Sequence, residues 1–128
     1  MMIIRPAGFA EVQPLLALAQ ERGDHTGGTL SIGEACAGAM TWAVENDAGQ
    51  VVMAYAMRVG GGVCWVVAAG GEARGVDLVK ATMPTIERQA RAMGCSQVAV
   101  TTCRPGLVRK LRAQGFGQSA VTLRKKLA

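Results

Sequence analysis

Three apolar, β-favouring stretches follow one another between Met40 and Ala69: Met40 to Glu45, Val51 to Val59 and Val63 to Ala69. Only Asn46-Asp47-Ala48-Gly49 and Gly60-Gly61-Gly62 separate them, and turns that short predict antiparallel hairpins. From Val76 the apolar period lengthens. Val76, Val79, Met83, Ile86, Ala90 and Met93 fall on one helical stripe that ends at Gly94. Pro84 interrupts that stripe, and a proline in a helix interior removes a hydrogen bond at a cost of about 3 kcal/mol. The helix is therefore expected either to kink there or to start only a turn earlier.

The flanking segments complete the pattern. Met2-Ile3-Ile4-Arg5 reads as a short strand, and Val12, Leu15, Leu16 and Ala19 repeat at the spacing of an amphipathic helix. Pro14 is expected in that helix's first turn, where its missing N–H costs nothing, and Gly23 supplies a stop. Residues 24–39, rich in Gly, Thr and Ser, predict a loop holding one helical turn near Ile32 to Cys36. Gln97 to Thr101 reads as a buried strand, Pro105 opens a short helix through Leu107, Val108 and Leu111, and Gly115-Phe116 closes it. A last strand is expected over about Ser119 to Leu127. The 128 residues then form one domain of mixed α/β (α+β) class, a central sheet flanked by helices. With only two Trp, one Tyr and two Phe, the core must be aliphatic.

No apolar run approaches the 18 residues of a membrane span, and Met1 to Pro6 lacks a basic leader, which predicts a cytoplasmic protein without membrane contact. The cysteines, Cys36, Cys64, Cys95 and Cys103, contain no Cys-x-x-Cys pair, and His25 is the only histidine, so metal-ligand spacing is missing. Charge is uneven. Residues 1–64 hold three basic and six acidic side chains, whereas residues 65–128 hold eleven and three, a balance of −3 against +8. The C-terminal half attracts anions, either a phosphorylated ligand or nucleic acid.

The order of elements, with Ile3-Ile4-Arg5-Pro6-Ala7 opening the chain, Asp47 to Ala56 as a hairpin and Leu107 to Phe116 as a short helix closing in Gly-Phe, resembles the GNAT N-acyltransferases over nearly the whole length. The resemblance implies a GNAT-like acyl-CoA N-acyltransferase fold, with acetyl-CoA as the acyl donor and a small-molecule or protein amine as acceptor. It places Val66, Val67 and Ala68 on the strand whose backbone orients the donor. The family's phosphate-binding motif, Arg or Gln, two residues, Gly, one residue, Gly or Ala, aligns onto Glu72-Ala73-Arg74-Gly75-Val76-Asp77. Arg74, Gly75 and Val76 are the implied contacts there. Backbone N–H groups at a helix start attract a pyrophosphate, and small residues let it approach. Only Gly75 matches; Glu72 and Asp77 put carboxylates where the anion should lie. Asp77 can equally be the helix N-cap.

Many members of the family carry a tyrosine acid five residues before the Gly-Phe phenylalanine; here that position is Leu111. The catalytic candidates are therefore Tyr55, the single tyrosine, as acid, and Glu45 as base, with Glu34 as a second carboxylate. The competing reading keeps the fold without the chemistry: a binding or assembly module touching nucleic-acid phosphates through Arg104, Arg109, Lys110, Arg112, Arg124, Lys125 and Lys126. Without interleaved aromatics, base stacking is not expected. The sequence leaves the oligomeric state open, a homodimer included. From the cysteine pattern, denatured but unreduced protein should titrate four thiols; two or fewer would show disulfides.

Overall fold

Turn chemistry and strand propensity place the central meander where the sequence puts it. The computed structural model describes residues 2–24, 27–73 and 75–127. Strands β1 (Ile3–Pro6), β2 (Met40–Glu45), β3 (Val51–Gly60), β4 (Val63–Gly71) and β5 (Gln97–Val100) form one sheet in the order β1-β2-β3-β4-β5. The first four are antiparallel, and β5 joins β4 in parallel. In the β2–β3 turn, the Asn46 carboxamide oxygen accepts from the N–H groups of Ala48 and Gln50. In the β3–β4 turn, Gly61 and Gly62 both hold positive φ, 61° and 75°, which a two-residue hairpin needs and glycine supplies without strain.

Helices cover both faces. On one side α1 (Phe9–Arg22) and the single turn α2 (Ile32–Ala35) bury Val12, Leu16 and Cys36 against Ala43, Ala54 and Ala56. On the other, α3 (Leu78–Ala92) and α4 (Pro105–Ala113) bury Met83, Ile86, Ala90 and Leu111 against Val44, Tyr55, Met57 and Val66. The alanine-rich face lets α1 lie close to the sheet. At Gly70 the approach leaves no room for a side chain: a Cβ would sit 3.0 Å from the Leu15 carbonyl carbon and 3.1 Å from the Ala19 Cβ.

Several expectations change. Pro14 lies beyond the first turn of α1, and Pro84 lies inside α3, yet both helices run through. Both prolines are exposed, so the carbonyls they leave unbonded face water. Val76 stands outside α3, 43% exposed. The expected last strand is absent: residues 116–127 carry no regular structure, and Val121, Leu123 and Leu127 are exposed. A strand needs a partner edge as well as β-favouring residues, and here this segment stays apart from β5 across a groove of about 1030 Å³. All four cysteines are free, with Cys103 exposed and the others buried. Among the described residues no helix is long and apolar enough to cross a membrane.

Gly70→Ala should destabilise the protein by about 1–3 kcal/mol, because backbone must move to admit the methyl group. Urea unfolding measures this; an unchanged midpoint would mean that α1 is free to lift from β4.

Candidate active site

The site begins with one extra residue in β4. In the β3–β4 register Ala56 faces Ala68 and Met57 faces Val66, so Val67 has no partner in β3. Such a bulge bends and twists its strand. The parallel pairing of β4 with β5 ends at Val66 opposite Val100, although β4 continues to Gly71. Beyond that point β5 has ended, leaving a gap where the β5 side of Val67 to Ala69 has no strand partner.

The gap is a slot of about 60 Å³ bounded by Val66, Val67, Ala68 and Ala69 on β4 and by Val100, Thr101 and Thr102 at the end of β5. Leu16 of α1 and Leu107 of α4 close its apolar sides. Its polar side chains are Gln20, Asp24 and Arg104 together with the two threonines, and Asp24 is its one carboxylate among the described residues. Asp24 Oδ2 accepts from the Gly28 N–H at 3.0 Å, and the Arg104 N–H donates to Thr102 Oγ1 at 3.1 Å. Asp24, Val100, Thr101 and Thr102 also border the larger groove beside β5, so the two spaces meet there.

The architecture now decides the comparison with known proteins. No protein-family profile matches the chain, and no curated protein matches it in sequence. Solved structures do. A Trypanosoma brucei acetyltransferase superposes with a TM-score of 0.63 at 17% identity, covering 99% of this chain and 100% of its own. AAC(6')-Iy, in complex with the bisubstrate analogue CoA-S-monomethyl-acetylneamine, gives 0.65 at 15%, covering 99% of both chains. A predicted acetyltransferase from Clostridium acetobutylicum, solved with acetyl-CoA, gives 0.65 at 13%, covering 98% and 96%. The fold is that of the GNAT acetyltransferases.

Within that GNAT fold, Val66, Val67 and Ala68 do line the slot. The two catalytic candidates lie elsewhere. Tyr55 is wholly buried on the α3 side, stacked on Trp42 with ring centroids 6.4 Å apart, and its hydroxyl donates to Gln89 Oε1 at 2.8 Å. Burial pushes its phenol up to about 12, only partly opposed by the Gln89 hydrogen bond. Glu45 sits at the far end of β2 opposite Ile3 and Val51, ion-paired with Arg5 at 3.5 Å. Glu34 is occupied as well: its carboxylate accepts from the Ser31 N–H in the capping box of α2, and that bond holds it below the usual carboxylate range. Leu111 is core. His25 and Arg74 lie outside the described residues.

Among the described residues of the loop before α3 and of its first turn, the Val76 and Lys80 N–H groups are already bonded within the chain. Asp77 is the N-cap, its carboxylate accepting from the Lys80 N–H at 3.2 Å, and the Val76 N–H goes to the Ala73 carbonyl at 3.1 Å. Gly75 holds φ of +74°, yet a Cβ there would meet nothing within 4 Å. The positive φ accounts for a glycine there, and the space beside it is open. Glu72 is neutralised by Arg22 from α1 at 3.4 Å, and with 81% of its side chain exposed, solvent screens it. The repulsion expected from Glu72 is thus small, which leaves Asp77 as the carboxylate at the start of α3. Gln20, Asp24, Thr102 and Arg104 carry no motif, although residues just past the carboxyl end of a parallel strand, as Thr102 and Arg104 are, recur at ligand crevices.

The folded Tyr55 hydroxyl holds its proton more tightly than an unfolded one, whose pKa is 10.0. Its contribution to stability is therefore complete below pH 10 and is lost as pH rises toward 12. Urea unfolding from pH 9 upward should show wild type losing on the order of 2 kcal/mol more than Tyr55→Phe. Equal slopes for the two would place the hydroxyl in contact with solvent.

Proposed function

We propose that this chain is an N-acyltransferase that moves an acetyl group from the thioester of acetyl-CoA to an amine by direct attack. The bulge at Val67, directly after the last pairing of β4 with β5 and with strand backbone beside a slot, is the observation that carries this reading. The amine nitrogen attacks the thioester carbonyl carbon, the C–S bond breaks, and the sulfur leaves as thiolate while the amine gives up one proton. Backbone N–H groups on the slot side of Val67 to Ala69 are suited to hold the carbonyl oxygen as it gains charge. Asp24, the carboxylate of the slot, replaces Glu45 as the group to receive the proton. With no tyrosine lining the slot, the thiolate takes its proton from solvent. The acceptor would enter along the groove beside β5, which meets the slot at Asp24.

The alternative, a GNAT-like module without chemistry that binds nucleic-acid phosphates, is favoured by one observation, the self-capped start of α3. Melting curves separate the two. Acetyl-CoA at about a hundred times its Kd should stabilise the fold by about 2.7 kcal/mol and raise Tm by several degrees. Thiol release with an amine panel should follow, and Asp24→Asn, which keeps an acceptor for Gly28, should lower kcat by about 10²-fold or more. No shift and no thiol release would leave the binding module standing.

A further inference from the structure

The slot and the α3 loop disagree about the donor. A thioester arm is a thin chain, and the slot offers it apolar walls from Leu16 and Leu107 and strand backbone from Val67 to Ala69. The nucleotide end of acetyl-CoA carries a diphosphate, and at the start of α3, where the fold would hold it, this chain places a carboxylate. Asp77 puts its own carboxylate on the Lys80 N–H and so takes one of the donors an anion would use. That carboxylate also sets a negative charge at the positive end of the helix dipole, so a phosphate arriving there must displace or face it. The Val76 N–H is turned inward to Ala73. The Glu72 N–H is turned to the Val52 carbonyl at 2.9 Å, which extends the β3 pairing past the end of β4.

Resting on the acyltransferase reading, we infer that this enzyme recognises its donor through the acyl-pantetheine arm alone, so that a pantetheine thioester lacking the nucleotide is used as well as acetyl-CoA. The charge on Asp77 turns away the diphosphate, and the slot selects the arm. Two features of the donor are thereby separated along the chain. Contacts to the arm come from β4 and β5, and the response to the nucleotide comes from Asp77.

The test compares S-acetyl-pantetheine with acetyl-CoA on the intact protein, by thermal shift and by kcat/KM with one amine. Wild type should treat the two within about threefold, and Asp77→Gly, an N-cap change that costs little stability, should tighten acetyl-CoA about tenfold and leave acetyl-pantetheine unmoved. Asp77→Asn keeps a capping oxygen and removes the charge, so an intermediate gain with acetyl-CoA is expected even if the glycine variant folds poorly. A wild-type preference for acetyl-CoA above about tenfold, or an unchanged acetyl-CoA affinity in both variants, overturns the inference and leaves acyl transfer intact. Failure of both thioesters to bind sinks the acyltransferase reading itself, and the inference with it.

Discussion

One residue too many in β4 governs the rest of this structure. Val67 has no opposite number in β3, a bulge of the kind that bends a strand, and directly before it the pairing of β4 with β5 stops at Val66, so the sheet opens at one point. Were the parallel pairing to run on past Val100, the slot would close, and the backbone of Val67 to Ala69 would spend its hydrogen bonds on β5. The opening is stable because each face of the sheet is anchored separately. Small residues let α1 sit down on β4, and a stripe of Met83, Ile86 and Ala90 fixes α3 on the opposite face.

The electrostatics of the site follow from the same geometry. The end of α1 lies against the segment that follows β5, where a Cβ on Gly23 would come within 2.9 Å of Arg104 Cδ, and so Asp24 and Arg104 share the slot across a wide sequence separation. Four carboxylates outside the slot are tied down locally, as Asp24 within it is by the Gly28 N–H: Glu34 by a cap, Glu45 by Arg5, Glu72 by Arg22 and Asp77 by the Lys80 N–H. Each of these has a structural task. The basic excess of the C-terminal half is spread along α3, α4 and the tail, so it works as a general field more than as a defined phosphate seat.

Much of the architecture was legible along the chain, and the misses share a cause. Strands β2, β3 and β4 and the two tight turns could be read because their information is local, in β-favouring runs and in glycines that positive φ requires. The tail from Ser119 has a strand's composition too, but composition does not create an edge to pair with, and the chain leaves it beside a groove. Tyr55 stands out in the sequence for its chemistry, yet a phenol in the middle of a buried strand is packed by whatever helix covers that strand, here through Gln89 of α3.

By itself, the sequence determined the order of elements as far as α4, the mixed class of the fold, the free thiols and the asymmetric charge, because each depends on composition or on residues a few positions apart. Tertiary structure alone decided which carboxylate faces the slot, which cation answers Glu72 and where the sheet opens. Those outcomes depend on register and on helix placement, and both are set by contacts between residues distant in the chain. The bulge at Val67 shows the difference most plainly: nothing in Val66-Val67-Ala68 marks it, and only the pairing of β3 with β4 brings it about.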